Sequence, residues 1–128
     1  MIGVVIVGHG GFASALRSAV ELVVGKQRKT ADVSFDPQDS TEDLEKKLKG
    51  AVAGLQPATG ILFFTDLAGG TPFKVSALLS REMERASVIA GTNLPMLLEV
   101  LLGREHLSTE QAVEKAIQAG KDGIKTFP

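Results

Sequence analysis

Apolar positions along this chain fall into two alternating periods. Ile2 to Val7 is a short β-branched run closed by glycines, the pattern of a strand buried on both faces. Phe12, Leu16, Val20 and Val23 then recur at helical spacing over Phe12–Val24, and Gly25 stands where that helix stops. "TADVSFDP" (Thr30 to Pro37) predicts a second, shorter strand, and Leu44, Leu48, Val52 and Leu55 form the stripe of a helix that begins behind the capping residues Asp39, Ser40 and Thr41. Gly60 to Asp66 reads as a third strand, followed by a helix from about Pro72 to Met83. Ala86 to Asn93 reads as a fourth, leading into the apolar helix "LPMLLEVLLG". Ser108 with Gln111 three residues later is a capping box for a last helix carrying Val113, Ala116, Ile117 and Gly120, and "GIKTF" (Gly123 to Phe127) is expected to be a final short strand.

Strands that alternate with helices through short loops predict an α/β fold, a doubly wound and mostly parallel sheet with helices on both faces. Ligands and reactive groups in such sheets gather outside the carboxyl ends of the strands. That rule selects three loops: "GHGGF" after the first strand, "DLAGGTPF" after the third and "GTNLP" after the fourth. At 128 residues the chain is expected to be one domain, 1–128, without linker, repeat or low-complexity tract. The 14 Lys+Arg against 15 Asp+Glu leave a net charge of -1, which argues against a nucleic-acid partner. The absence of cysteine removes disulfides and thiolate metal sites, and His9 and His106 alone lack paired ligand spacing, so no metal is expected. No basic n-region precedes the first apolar run, and no segment reaches the ~18 apolar residues of a membrane span, so the expected location is cytoplasmic.

His9 stands among Gly8, Gly10 and Gly11 at the end of the first strand. Glycines there allow close backbone approach, and the following helix N-terminus offers unpaired N–H groups to an anion such as a phosphoryl group. One reading makes His9 a turn residue held by backbone hydrogen bonds. Another takes Gly8, Gly10 and Ala13 as a G-x-G-x-x-[GA] dinucleotide loop with Asp36 as the ribose carboxylate, which leaves no residues for a substrate domain. A Walker-type loop is excluded, because no G-K-[ST] follows the glycines. The third reading is a phosphorylatable histidine: an imidazole is largely neutral and nucleophilic near pH 7, provided something fixes which nitrogen carries the lone pair. Asp66 can do so by accepting the Nδ1 proton and leaving Nε2 free, although a cap or turn role explains Asp66 equally well. Thr71 before Pro72 reads as the N-cap of the third helix, and its hydroxyl, with the N–H groups of Gly69 and Gly70, offers contacts to phosphate oxygens.

"VGHGGFASAL", "LFFTDLAGGTPF" and "VIAGTNLPMLLEVL", in this order and at this spacing, resemble the enzyme IIA component of the mannose family of the bacterial phosphoenolpyruvate-dependent sugar phosphotransferase system, over essentially the whole chain. The resemblance implies a cofactor-free phosphotransferase that takes a phosphoryl group from the histidine-containing phosphocarrier protein on His9. It then passes the group to enzyme IIB, which phosphorylates the sugar as membrane permease components import it. It also implies that Asp66 hydrogen-bonds the active histidine, that Thr71 lies beside the phosphate, and that Gly8, Gly10, Gly11, Gly69 and Gly70 form the loops around it. The family's sheet has four parallel strands and an antiparallel C-terminal strand exchanged in a homodimer, a role that falls to "GIKTF". Some members carry a bulky aromatic directly after the His-Gly pair, whereas here Gly11 comes first and Phe12 follows. A same-fold alternative is the phosphoryl-donor subunit of a dihydroxyacetone kinase system, against which "GTNLP" argues, and an alternative of another class is a non-enzymatic phosphohistidine regulatory domain. The wording is most similar to members serving amino sugars such as N-acetylgalactosamine, but the IIA component does not touch the sugar.

Overall fold

The computed structural model describes residues Met1–Pro128. In chain order the elements are β1 (Gly3–His9), α1 (Phe12–Val24), β2 (Thr30–Phe35), α2 (Thr41–Gly54), β3 (Ile61–Thr65), α3 (Thr71–Ser80), β4 (Ala86–Ile89), α4 (Leu94–Gly103), a 3₁₀ turn over Arg104–His106, and α5 (Thr109–Asp122). The four strands make one parallel sheet in the order β2-β1-β3-β4. No helix is long and apolar enough to cross a membrane.

The alternation within β1 builds both halves of the core. Val4 and Ile6 point to the face covered by α1, α4 and α5, where they meet Ala13, Val20, Leu97, Val100, Ala112 and Ala116. Val5 and Val7 point to the other face, against Leu44 and Leu48 of α2 and Val75 and Leu79 of α3. Val4 to Val7 are fully buried, and each such side chain contributes about 1.5–3 kcal/mol of burial free energy. A central strand covered on both faces therefore reads as a continuous apolar run.

Local chemistry sets the helix starts. Ser40 with Asp43 and Ser108 with Gln111 form reciprocal capping boxes, and the Asn93 side chain accepts from Met96 N–H at 3.3 Å. Arg104 is 2% exposed, and its guanidinium donates to the carbonyls of Ile2 (3.2 Å), Lys29 (3.0 Å) and Arg28, tying the α4 exit to the starts of β1 and β2.

Several expectations need correction. Thr71 is not the N-cap of α3: the cap is Gly70, whose carbonyl accepts the first helical hydrogen bond from Lys74 N–H, so Thr71 and Pro72 lie inside the first turn. Pro72 is tolerated there because that N–H has no intrahelical acceptor in any case. β4 ends at Ile89 instead of Asn93, because Gly91, at φ +75°, turns the chain and its N–H donates to the Asp66 carbonyl at 2.9 Å. The third helix closes at Ser80, the following residues making i→i+3 bonds such as Glu82 N–H to Leu79. Gly123 to Phe127 form no strand in the single chain. Gly123 caps α5, and Ile124 and Phe127 stand 75% and 96% exposed.

Candidate active site

The order β2-β1-β3-β4 places the topological switch between β1 and β3, since the chain leaves β1 toward one side for β2 and crosses to the other for β3. His9 is the last residue of β1, and Asp66 directly follows β3. The sheet thus brings together two residues 57 positions apart in sequence.

Asp66 Oδ2 accepts the backbone N–H of His9 at 2.8 Å and lies 2.7 Å from its Nδ1, while Oδ1 accepts Leu67 N–H at 2.8 Å. Burial alone pushes the Asp66 carboxyl up. The His9 N–H, the His9 ring and the Leu67 N–H together outweigh it and hold the group below its ordinary value. Asp66 is therefore ionised at neutral pH and can only accept, which places the imidazole proton on Nδ1. Nε2 has no partner in the chain, and the ring is 47% exposed against 11% for Asp66. A neutral imidazole so held presents its lone pair outward. One carboxylate makes both sets of contacts, Oδ2 with His9 and Oδ1 with Leu67 N–H.

The three loops contribute differently. Gly10, at φ +55°, has open space around it, as does Gly11, which caps α1. Gly8 is buried: a Cβ there would lie 2.5 Å from Phe12 Cδ1 and 3.0 Å from Asp66 Oδ2, so its missing side chain makes room for the carboxylate. Gly70 lies against the ring, a Cβ at its position falling 3.3 Å from His9 Cε1, and Gly69 turns the chain at φ +79°. The N-termini of α1 and α3, with their unpaired N–H groups, both start beside His9. The Thr71 hydroxyl makes no hydrogen bond within the chain. The loop after β4 holds Asp66 from behind, with Gly91 N–H on the Asp66 carbonyl and the Thr92 hydroxyl on the Thr65 carbonyl at 2.7 Å.

A family model described as "PTS system fructose IIA component" matches residues 3–117. The chain belongs to the mannose-family enzyme IIA components. It is 34% identical over 127 residues to the PTS system mannose-specific EIIAB component of Escherichia coli K12, covering 98% of this chain and 39% of that protein. This chain thus spans well under half the length of that relative. It is 37% identical over 108 residues to the PTS system fructose-specific EIIA component of Bacillus subtilis, covering 84% of this chain and 74% of the relative. The crystal structure of phosphotransferase system component EIIA from Streptococcus agalactiae superposes with a TM-score of 0.92 at 36% identity, over 99% of this chain and 98% of that one.

Of the residues singled out in sequence, this enzyme IIA domain brings His9, Asp66, Gly8, Gly10, Gly11 and Gly70 into one cluster. Asp36, the carboxylate of the dinucleotide reading, is engaged elsewhere, accepting from Ser34 Oγ at 3.1 Å and Lys47 Nζ at 3.3 Å. One contributor had no sequence signal: Phe35 of β2 meets the His9 ring edge to face at a centroid distance of 5.8 Å. Gly91 and Thr92 lie in the loop selected after the fourth strand, and their N–H groups hold the carbonyls of Asp66 and Thr65.

Proposed function

We propose that this chain carries phosphoryl groups in a sugar phosphotransferase system in the cytoplasm, accepting them on His9 from the histidine-containing phosphocarrier protein and handing them to enzyme IIB. The observation that carries the reading is the 2.7 Å contact between His9 Nδ1 and Asp66 Oδ2, which leaves Nε2 free at the carboxyl ends of β1 and β3. In the forward step the Nε2 lone pair attacks phosphorus, the N–P bond to the carrier's histidine breaks, and that imidazole leaves with the bonding electron pair. The His9 ring, protonated at Nδ1 and phosphorylated at Nε2, is then cationic, and the Asp66 carboxylate offsets its charge. The N–H groups of α1 and α3 and the Thr71 hydroxyl meet the phosphoryl oxygens, and Gly10, Gly11, Gly69 and Gly70 leave the approach open. Transfer to enzyme IIB repeats the exchange with this chain as donor, so one ring serves both half-reactions.

The same reading includes a homodimer in which the C-terminal segment pairs with a neighbour's sheet edge, supported by the exposed Ile124 and Phe127. Relatives that are transport components favour this function over a dihydroxyacetone kinase donor or a regulatory domain. The test is incubation with phosphoenolpyruvate, enzyme I and the phosphocarrier protein. Acid-labile, base-stable phosphate is expected on His9 and none on a His9→Ala variant. Label persisting on His106 would overturn the assignment.

A further inference from the structure

We infer that Phe35 is a positioning residue for His9, holding the imidazole from the side of β2 while Asp66 holds it through Nδ1. The inference rests on the phosphoryl-acceptor reading of His9. The covalent tether at Cβ and one hydrogen bond at Nδ1 still allow coupled χ1/χ2 rocking of a ring 47% exposed, and a second, non-collinear contact narrows the aim of Nε2. Phe35 supplies it. The two residues are register partners in the parallel β1–β2 pair, and their rings meet at 5.8 Å with an interplanar angle of 75°, the edge-to-face geometry that aromatic rings prefer.

Phe35 is itself anchored. Its carbonyl accepts Gly10 N–H at 3.0 Å, which joins it to the loop that carries His9, and its side chain packs on the core beneath α2 and α3. The residues on either side of it are held by α2. Lys47 Nζ donates to the Ser34 carbonyl at 3.0 Å, to Asp36 Oδ2 at 3.3 Å and to Asp39 Oδ2 at 2.5 Å, and Asp39 Oδ2 also accepts Asp36 N–H at 2.9 Å. The end of β2 is therefore a fixed wall, and the ring that stands against it inherits that rigidity.

The experiment compares the parent chain with Phe35→Tyr, which keeps the ring, and with Phe35→Leu and Phe35→Met, which keep apolar bulk without it. The His9 ring resonances of the isotope-labelled, unphosphorylated protein are recorded by NMR, and single-turnover transfer from the phosphorylated carrier is followed at increasing carrier concentration. The parent and Phe35→Tyr should show one sharp set of His9 ring signals. Phe35→Leu and Phe35→Met should show shifted and broadened signals and a transfer rate at saturating carrier reduced about ten-fold, as expected when a reacting atom is less well aimed. The half-saturating concentration should change less than about two-fold, since the carrier's docking does not depend on ring aim. Unchanged His9 signals and saturating rate in the folded ring-less variants would overturn the inference. A loss confined to the half-saturating concentration would also overturn it and make Phe35 a docking residue. If the parent accepts no phosphate, the acceptor reading fails, and the NMR comparison alone decides whether Phe35 positions the ring.

Discussion

Replacing Asp66 with Asn tests how much of the transfer rate comes from one carboxylate. The parent side chain accepts three N–H groups with two oxygens, from His9 N, His9 Nδ1 and Leu67 N. An amide has one acceptor atom, so it has two orientations. With its oxygen at the Oδ2 position it keeps both His9 bonds and loses Leu67. Flipped, it keeps Leu67, donates to Nδ1 and loses the His9 N–H. Each orientation makes two hydrogen bonds, so both are populated, and the flipped one places the proton on Nε2, where it blocks attack. That costs about two-fold in rate by population alone. The larger effect is charge: a carboxylate about 4 Å from a developing imidazolium is worth about 4 kcal/mol at an effective dielectric of about 20. Because the His9 ring is 47% exposed, solvent screens part of this. A discounted value of about 2–3 kcal/mol corresponds to a slowing of about 30- to 150-fold. The combined expectation is a loss on the order of 10²-fold in transfer to His9. Stability should fall by only about 1 kcal/mol, the cost of one lost hydrogen bond. Rapid-quench transfer, nitrogen NMR of the imidazole tautomer and thermal melting measure the three quantities. A folded Asp66→Asn chain that accepts phosphate at the parental rate with its proton still on Nδ1 would refute the argument and leave Asp66 as a turn residue.

Further expectations follow from the same geometry. Gly8→Ala drives a methyl group to 2.5 Å from Phe12 Cδ1 and 3.0 Å from Asp66 Oδ2, so chemical denaturation should show a loss of about 1–3 kcal/mol, with phosphoryl acceptance falling alongside it. Because the folded-state carboxyl of Asp66 lies below its ordinary value, its contribution to stability is complete above the ordinary carboxylate range. That contribution is lost as pH falls through the depressed folded value, so a urea titration across acidic pH should lose this component in Asp66→Asn. Arg104→Ala removes a buried guanidinium that spans the Ile2, Arg28 and Lys29 carbonyls and should cost about 2–4 kcal/mol by denaturant titration, with no specific effect on the chemistry of folded protein. A chain ending at Gly123 should sediment as a monomer; if it remains a dimer of unchanged stability, the exchanged C-terminal strand is wrong.

Much of this protein is determined by local pattern, and for physical reasons. The run Ile2–Val7 is apolar throughout because β1 is covered on both faces, and that unbroken run marks a central parallel strand without any knowledge of its neighbours. Ser40 and Ser108 announce helix starts because a capping box closes within four residues. His9 among its glycines, and Asp66 ahead of Gly69 and Gly70, stand out because strand-to-helix loops at the carboxyl end of a sheet are short and chemically sparse. The start of α3 falls one residue before the expected Pro72, since Thr-Pro carries the signature of a cap whereas the decisive Gly70 carbonyl bond leaves no trace in side-chain type.

What tertiary structure alone decided is which groups meet. The sheet order sets β1 beside β3 and so puts Asp66 against His9, and it sets β1 beside β2 and so puts Phe35 against the same ring. Gly8 is a loop glycine by sequence and a buried space for Asp66 and Phe12 by packing, a difference that depends on β3 lying beside β1. Contacts between residues far apart in the chain arise from strand register, and register is a property of the whole folded sheet, which no single segment encodes.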